Sequence, residues 1–267
     1  MTLHSHLRDF LLTCSILILL SGCGTLPNGR AWGEDATLRP GLPKIRSAAL
    51  RAIQSPVTWI PAAGAVVFSL DHLDQRVSDW ASEKTPIFGS VDGADRASNT
   101  LLYTAIGGAL ATAIAAPSGP DSSSKLKGLG VELAAGATTA GLTGIVHVGI
   151  DRERPNGLSG YSFPSGHSSA AFSAAAIGEI NVESLRLSDG VKTGLDAGFM
   201  VLASGDAWAR VEAKQHYPSD VLAGAALGNF VSIFICDAFL GLDKNAPVPF
   251  SVEPQSNGWI LAIHSMF

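Results

Sequence analysis

The sequence predicts an all-α fold: a bundle of about six main helices ending in a short irregular tail. Three observations predict it. Long stretches carry apolar residues at helical spacing or carry no charge at all. Their ends fall at Ser, Pro and Gly, the residues that start and stop helices. Ala and Gly are abundant (29 Gly) while aromatics make up only 7% of the chain, as expected where helices pack closely through small residues. With 267 residues, 46% of them hydrophobic, the chain can bury one good-sized core. A net charge of −5 with no long basic block argues against a nucleic-acid partner.

The first segment reads as an address. Arg8 precedes an almost wholly apolar run from Phe10 to Leu20, followed by Leu20-Ser21-Gly22-Cys23. A basic flank, a short apolar core and small residues before a break make a secretory signal over 1–22. Leu-Ser-Gly-Cys resembles the bacterial lipobox, which implies cleavage before Cys23 and lipidation of its thiol. Gly24 in place of Asp leans towards the outer membrane, facing the periplasm. Of three cysteines, Cys14 leaves with the signal and Cys23 carries lipid. Cys236, in an apolar run, reads as a core residue.

Residues 23–42, rich in Gly, Pro and polar residues without a period, read as a tether. The helical domain is expected over 43–242. Pro43 suits a first helical position, with the helix running to about Gln54. Val57–Leu70 is apolar and interrupted by Pro61. In Asp71–Glu83, Leu73, Val77 and Trp80 share one helical face. Lys84–Gly93 reads as a loop, and a helix opens at Asp95 and Arg96 and continues to Ala115. Pro117–Ser124 breaks it. A long Ala/Gly/Thr-rich helix follows from about Lys125 to Ile150, then a polar loop to Tyr161. Further helices are expected over Ser165–Ile180, Ser188–Val211 and Pro218–Leu240. The tail, 243–267, holds one strand-like run, Gly258–His264.

Ala97–Pro120, Leu133–Ile150 and Val221–Cys236 contain no Asp, Glu, Lys or Arg. They are rich in Ala, Gly and Thr rather than Leu, Ile and Phe, which makes their transfer into a bilayer marginal. The expectation is a soluble bundle on a lipid anchor, with a multi-pass inner-membrane protein as the alternative.

The chemistry gathers around Tyr161–Ser169, YSFPSGHSS. Pro164 ends what precedes, Ser165 is a good N-cap, and Gly166 lets a ligand approach the free N–H groups of the first turn. His167 stands beside that anion site, able to give or take a proton. Upstream lie Arg152, Glu153 and Arg154; downstream lie Arg210, His216 and Asp220. Phosphoryl transfer needs planar cations on the non-bridging oxygens, main-chain donors, a nucleophile and an acid for the leaving oxygen. Two histidines can divide the last two roles. A carboxylate four residues after His216 can fix its tautomer. Arg152 and Glu153 read as a solvated pair, and Trp208 and Tyr217 as packing residues.

Arg154-Pro155, Pro164-Ser165-Gly166-His167 and Arg210-x5-His216-x3-Asp220 resemble the three signature motifs of the type 2 phosphatidic acid phosphatase family, whose superfamily includes the vanadium haloperoxidases. The resemblance covers about His147 to Gly228. It implies a helical bundle with the site at one end. It implies metal-independent hydrolysis of phosphomonoesters or diphosphates through a phosphohistidine, with no cofactor. By it, His216 is the nucleophile, Asp220 orients His216, and His167 protonates the leaving group and then activates water. Arg154, Arg210, Ser165 and the Gly166 N–H bind phosphate. A substrate on a phosphorylated lipid or a small phosphoester follows, as does a membrane contact through the anchor. Two departures stand out. His147 occupies the place of the usual Lys and reads either as a phosphate contact in its stead or as a packed helix-face histidine, with Arg152 as a nearby substitute cation. Ala209 replaces the Ser before Arg210. The rival expectations are a non-catalytic anchored scaffold and a vanadate-dependent haloperoxidase.

Overall fold

The computed structural model describes residues 25–26, 29–119, 122–158 and 160–241, and the backbone of 250–255 and 258–263. The signal segment and the lipidation position Cys23 lie outside the described residues. Among the described residues there are eight α-helices: α1 Leu42–Gln54, α2 Pro56–Phe68, α3 Leu73–Lys84, α4 Val91–Ala115, α5 Ser122–Ile150, α6 Gly166–Ser184, α7 Asp189–Glu212 and α8 Pro218–Ile235. A π-helical turn, Cys236–Leu240, closes α8. The all-α class and most of the boundaries follow the sequence. α4 starts four residues before the expected Asp95, because the Ser90 hydroxyl accepts a hydrogen bond from the Gly93 N–H at 3.0 Å and caps a new first turn. Pro61 stands inside α2 rather than ending it. The tail, expected to be irregular, pairs Phe250–Gln255 (β1) with Gly258–Ile263 (β2) in an antiparallel register, Phe250 opposite Ile263.

The bundle is organised around α6. Most of its residues are buried, and it packs on α4, α5, α7 and α8. A helix covered on every side cannot be amphipathic, which explains its run of Ala and Ser. Its closest neighbour is α8. A Cβ on Gly228 would lie 2.3 Å from the Ser169 carbonyl oxygen, and one on Gly224 would lie 2.6 Å from that of Ser165. Only glycine permits this approach. It is fastened by the Ser168 hydroxyl, which donates to Val221 O at 2.9 Å, and by the Ser165 N–H, which donates to Asp220 O at 2.9 Å. The start of α6 is thereby held against the start of α8.

The segment before α1, expected to be a free tether, is docked. Trp32 is fully buried, its backbone N–H donates to Pro117 O at 2.8 Å, and its ring lies against Gly128. Thr37 N–H donates to Phe239 O at 2.9 Å. Pro117 follows α4, Gly128 belongs to the first turns of α5, and Phe239 lies in the π-helical turn. The segment therefore covers the end of the bundle where α4 finishes and α5 begins. One buried indole outweighs the lack of periodicity that suggested a tether.

Ser122–Ile150 and Pro218–Leu240 are long and apolar enough to cross a membrane; 17% and 56% of their most apolar windows are buried. Along α4 and α5, Tyr103, Leu110, Leu133, Ile145 and Val148 are exposed. That side of the bundle has a hydrocarbon-like surface.

Candidate active site

The starts of α4, α6 and α8 and the ends of α5 and α7 meet at one pole of the bundle, opposite Trp32. At this pole the sequence motifs come together. Pro218 at the first position of α8 leaves His216 just outside the helix, in a buried turn. His216 Nδ1 lies 2.7 Å from the Ser162 carbonyl oxygen. A carbonyl only accepts, so Nδ1 carries the proton and Nε2 keeps its lone pair. Burial, with Arg210 and Arg154 beside it, holds the imidazole well below its ordinary range. His216 is a neutral base with a defined free nitrogen.

Asp220 does not touch it as expected. The nearest approach, Oδ2 to His216 Nδ1, is 3.9 Å, too long for a hydrogen bond. Oδ2 instead accepts from Ser162 Oγ at 2.6 Å and from the Tyr217 N–H at 2.8 Å, the latter as the capping contact of α8. Oδ1 accepts from Arg152 Nη1 at 2.6 Å. The carboxylate thus reaches His216 through Ser162, whose backbone carbonyl holds the ring while its hydroxyl binds Asp220. Burial raises Asp220 to about 6, with the Ser162, Arg152 and Tyr217 contacts pulling the other way.

Arg152 is likewise no solvated cation. Its other amino group donates to Asp74 Oδ2 at 2.9 Å, and its guanidinium lies 4.2 Å from the Tyr217 ring centroid. Asp74, from α3, also accepts from the Ser219 N–H at 2.8 Å and from the Ser219 hydroxyl. Arg152 is committed to this network behind the site.

His167 sits in the first turn of α6. Its Nε2 is 3.1 Å from Asn99 Oδ1. Asn99 turns its amide nitrogen to the Asp95 carbonyl at 3.0 Å, so the oxygen faces His167 and accepts the Nε2 proton. Nδ1 is then the nitrogen left to exchange protons. Burial first, then the Arg210 charge, lower His167 to about 4; Asp95 opposes them and Arg154 adds to them. Arg210 is buried, donates to Asp95 Oδ1 at 2.8 Å and to Ser98 Oγ at 3.2 Å, and has no hydrogen-bond partner for Nε. Arg154 donates to Gln215 Oε1 at 2.7 Å. Ser165 is fully buried, its hydroxyl accepting the Ser168 N–H at 3.3 Å as the helix cap. What α6 offers outward is the pair of N–H groups of Gly166 and His167, which have no intrahelical acceptor. A Cβ on Gly166 would meet nothing nearer than His147 and Thr143 at 3.9 Å; the space above that turn is open.

His147 is near the cradle, but Nε2 donates to the Pro164 carbonyl at 2.6 Å. It braces the loop before α6 instead of aiming that nitrogen at an anion, which corrects its expected place among the phosphate contacts. In the sequence Asp95 marks only a helix start, and nothing distinguishes Ser98 or Asn99. They lie over a hundred residues before His216 on a helix whose start is legible but whose site-facing side chains carry no signal of their own. Among the described residues no three His, Cys, Asp or Glu side chains form a group that could hold a metal ion.

Three comparisons bear on this arrangement. A crystal structure described as the first transmembrane PAP2 type phosphatidylglycerolphosphate phosphatase, from Bacillus subtilis, is similar in fold. Its TM-score is 0.52 at 20% identity, over 73% of this chain and 94% of that one. A search of curated proteins gives no match. The family model described as the PAP2 superfamily matches residues 118–241. That stretch contains Arg154, the Pro164–His167 turn, Arg210 and His216, so the chain is similar to the PAP2 superfamily over the part that carries its motifs.

Proposed function

We propose that this protein is a phosphatase that hydrolyses phosphomonoesters or diphosphates of lipids through a phosphohistidine, without a metal. The observation that carries the reading is the geometry of His216. Its proton is fixed on Nδ1 by a main-chain carbonyl, its Nε2 is unprotonated, and two guanidiniums and a second imidazole stand beside it. In the first step the Nε2 lone pair attacks phosphorus and the bond to the leaving oxygen breaks. His167 gives its Nδ1 proton to that oxygen. Arg154, Arg210 and the N–H groups of Gly166 and His167 hold the three remaining oxygens. The new phosphoimidazolium is positive, and the Ser162 carbonyl and the Asp220 carboxylate behind it favour that charge. In the second step His167 takes a proton from water, whose oxygen attacks phosphorus. The P–N bond breaks, its electron pair returns to Nε2, and phosphate leaves with His167 protonated as at the start.

The lipobox-like start and the apolar side of α4 and α5 support a lipid substrate and a place at the cell envelope. The similar fold of the Bacillus subtilis phosphatase supports the same reading. The lipid on Cys23 can be tested by palmitate labelling of Cys23→Ser against the parent. The phosphatase reading is tested with the purified protein, chelator present, on para-nitrophenyl phosphate and a panel of lipid phosphates. Phosphate release is expected, with a loss of at least about a thousandfold in His216→Ala and acid-labile label on His216 from phosphorus-labelled substrate. Equal release by the parent and His216→Ala would overturn the reading.

A further inference from the structure

Two stretches of chain support His216 from behind. One is the start of α8, which carries Asp220; the other runs from Asp151 to Ser162 and carries Arg154 and the carbonyl that takes the imidazole proton. Among its described residues the second stretch has no helix or strand, and Asp151, Gly157, Gly160 and Tyr161 have positive φ. Its main-chain hydrogen bonds run within the stretch or back to His147. One of them, Ser162 N–H to Arg152 O at 3.0 Å, ties the position of Ser162 to that of Arg152.

The Arg152 side chain fastens the stretch to the bundle. Nη1 donates to Asp220 Oδ1 at 2.6 Å and to Ser219 Oγ at 2.8 Å, Nη2 donates to Asp74 Oδ2 at 2.9 Å, and the guanidinium carbon lies over the Tyr217 ring. A flat fork makes these contacts together; an ammonium cannot. Asp74 stands in the first turn of α3. Its Oδ1 accepts the Ser219 N–H at 2.8 Å, a first-turn donor of α8 with no acceptor in its own helix. One carboxylate from α3 therefore caps α8 and seats the guanidinium, and the positive ends of two helices favour its charge.

We infer that Asp74 and Arg152 are positioning residues for the nucleophile. Asp74 seats the Arg152 guanidinium, and Arg152 holds both supports of His216, Asp220 through its side chain and Ser162 through its carbonyl. The inference rests on the phosphatase reading for the use of His216 and on these contacts alone for its orientation. It makes α3 part of the active site although α3 lies outside the three motifs. A cavity of about 610 Å³ opens on the network, lined by Asp74, Gln75, Arg152, Glu153 and Tyr217 among others, and neither motif histidine lines it. The Arg152 side chain is 30% exposed, so a small solute can reach the guanidinium's seat from solvent.

That access gives the test, on the full chain with para-nitrophenyl phosphate. Arg152→Ala should lower kcat about thirtyfold or more with KM within about threefold of the parent, because Gln215 holds Arg154 separately. Millimolar guanidinium should restore about tenfold of the loss, and sodium chloride at equal ionic strength should restore none. Arg152→Lys keeps the charge and should still stay about tenfold or more below the parent. Asp74→Asn keeps an oxygen for the Ser219 N–H and should lower kcat in the same direction; combined with Arg152→Ala it should cost nothing further. An unchanged kcat in Arg152→Ala, or equal recovery in sodium chloride, overturns the inference. A second readout does not need turnover. In protein carrying nitrogen-15 histidine, with His216 assigned by its loss in His216→Gln, the parent should show a protonated Nδ1 and a bare Nε2. Asp74→Asn and Arg152→Ala should show exchange between the two tautomers. A lower melting temperature with parent-like His216 signals would mark the network as structural alone and overturn the inference. The expected change in those signals, without phosphate release by the parent from any substrate, would sink the phosphatase reading and leave the positioning role standing.

Discussion

Asn99 decides which nitrogen of His167 is free. With its amide nitrogen held by the Asp95 carbonyl, its oxygen can only accept. A general acid must carry its proton when the leaving group departs, and the ligand-free site holds His167 at about 4. kcat/KM should therefore be higher in mild acid than at pH 8. Asn99→Asp would put a carboxylate on Nε2, raise the His167 pKa and move the alkaline limb of the kcat/KM profile to higher pH. A profile superimposable on the parent's would remove Asn99 from the proton path. Asp206 gives a second residue-scale prediction, on stability. It is fully buried with neither oxygen hydrogen-bonded, and burial raises it to about 7 despite the pull of Arg210. The folded chain keeps a proton there that the unfolded chain loses above its ordinary value of 3.8. The parent is penalised progressively from that pH to about 7, and by a constant amount above it. Asp206→Asn should match the parent in urea unfolding near pH 4 and exceed it at pH 7 to 8. A difference independent of pH would contradict this.

At the scale of elements, the contact of α6 with α8 places Ser165 and His167 beside His216. Gly228→Ala would set a methyl 2.3 Å from the Ser169 carbonyl oxygen, and neither backbone can yield without parting the two helix starts. A loss of about 1–3 kcal/mol in stability is expected, read as a lower melting temperature, together with a fall in kcat. An unchanged melting temperature would show that the helices part freely. Elements also separate what was legible in the sequence from what was not. The three motifs could be read because phosphate binding needs fixed residue types at helix starts, and Pro, Ser and Gly announce such starts locally. Helix spans could be read for the same reason, and the missed start of α4 had its signal in Ser90 and Gly93. Asn99, Asp95 and Asp74 could not be read. They reach the site from α3 and α4 across the bundle, and nothing local distinguishes them from surface polar residues. The partner of His216 differs from the one its spacing predicts for a related reason. A spacing of four residues places Asp220 near the ring, but the turn at Tyr217-Pro218 spends its Oδ2 on the cap of α8, and the main chain at Ser162 takes the imidazole proton. The lack of periodicity before α1 hides a docked segment because one tryptophan and main-chain hydrogen bonds, which leave no periodic signature, make that contact.

For the whole molecule, the docked segment stabilises the pole that has no catalytic groups. Trp32→Ala would empty a fully enclosed indole site against Gly128 and should cost about 3–5 kcal/mol. Unfolding by urea should show that loss, with the KM for para-nitrophenyl phosphate unchanged. A loss below 1 kcal/mol would mean that the segment rests on the bundle without supporting it. The same docking fixes a direction. The Arg186 guanidinium, just past the end of α6, donates to the Thr25 carbonyl at 2.8 Å, so the chain enters the fold at the pole remote from His216. The 29 residues of α5 span ~44 Å between those poles, more than the ~30 Å hydrocarbon core of a bilayer. The protein is thus a strut with the entry of its chain at one tip and the motif histidines at the other. Under the proposed anchoring, an upright molecule would work on a different surface from the one that holds its lipid.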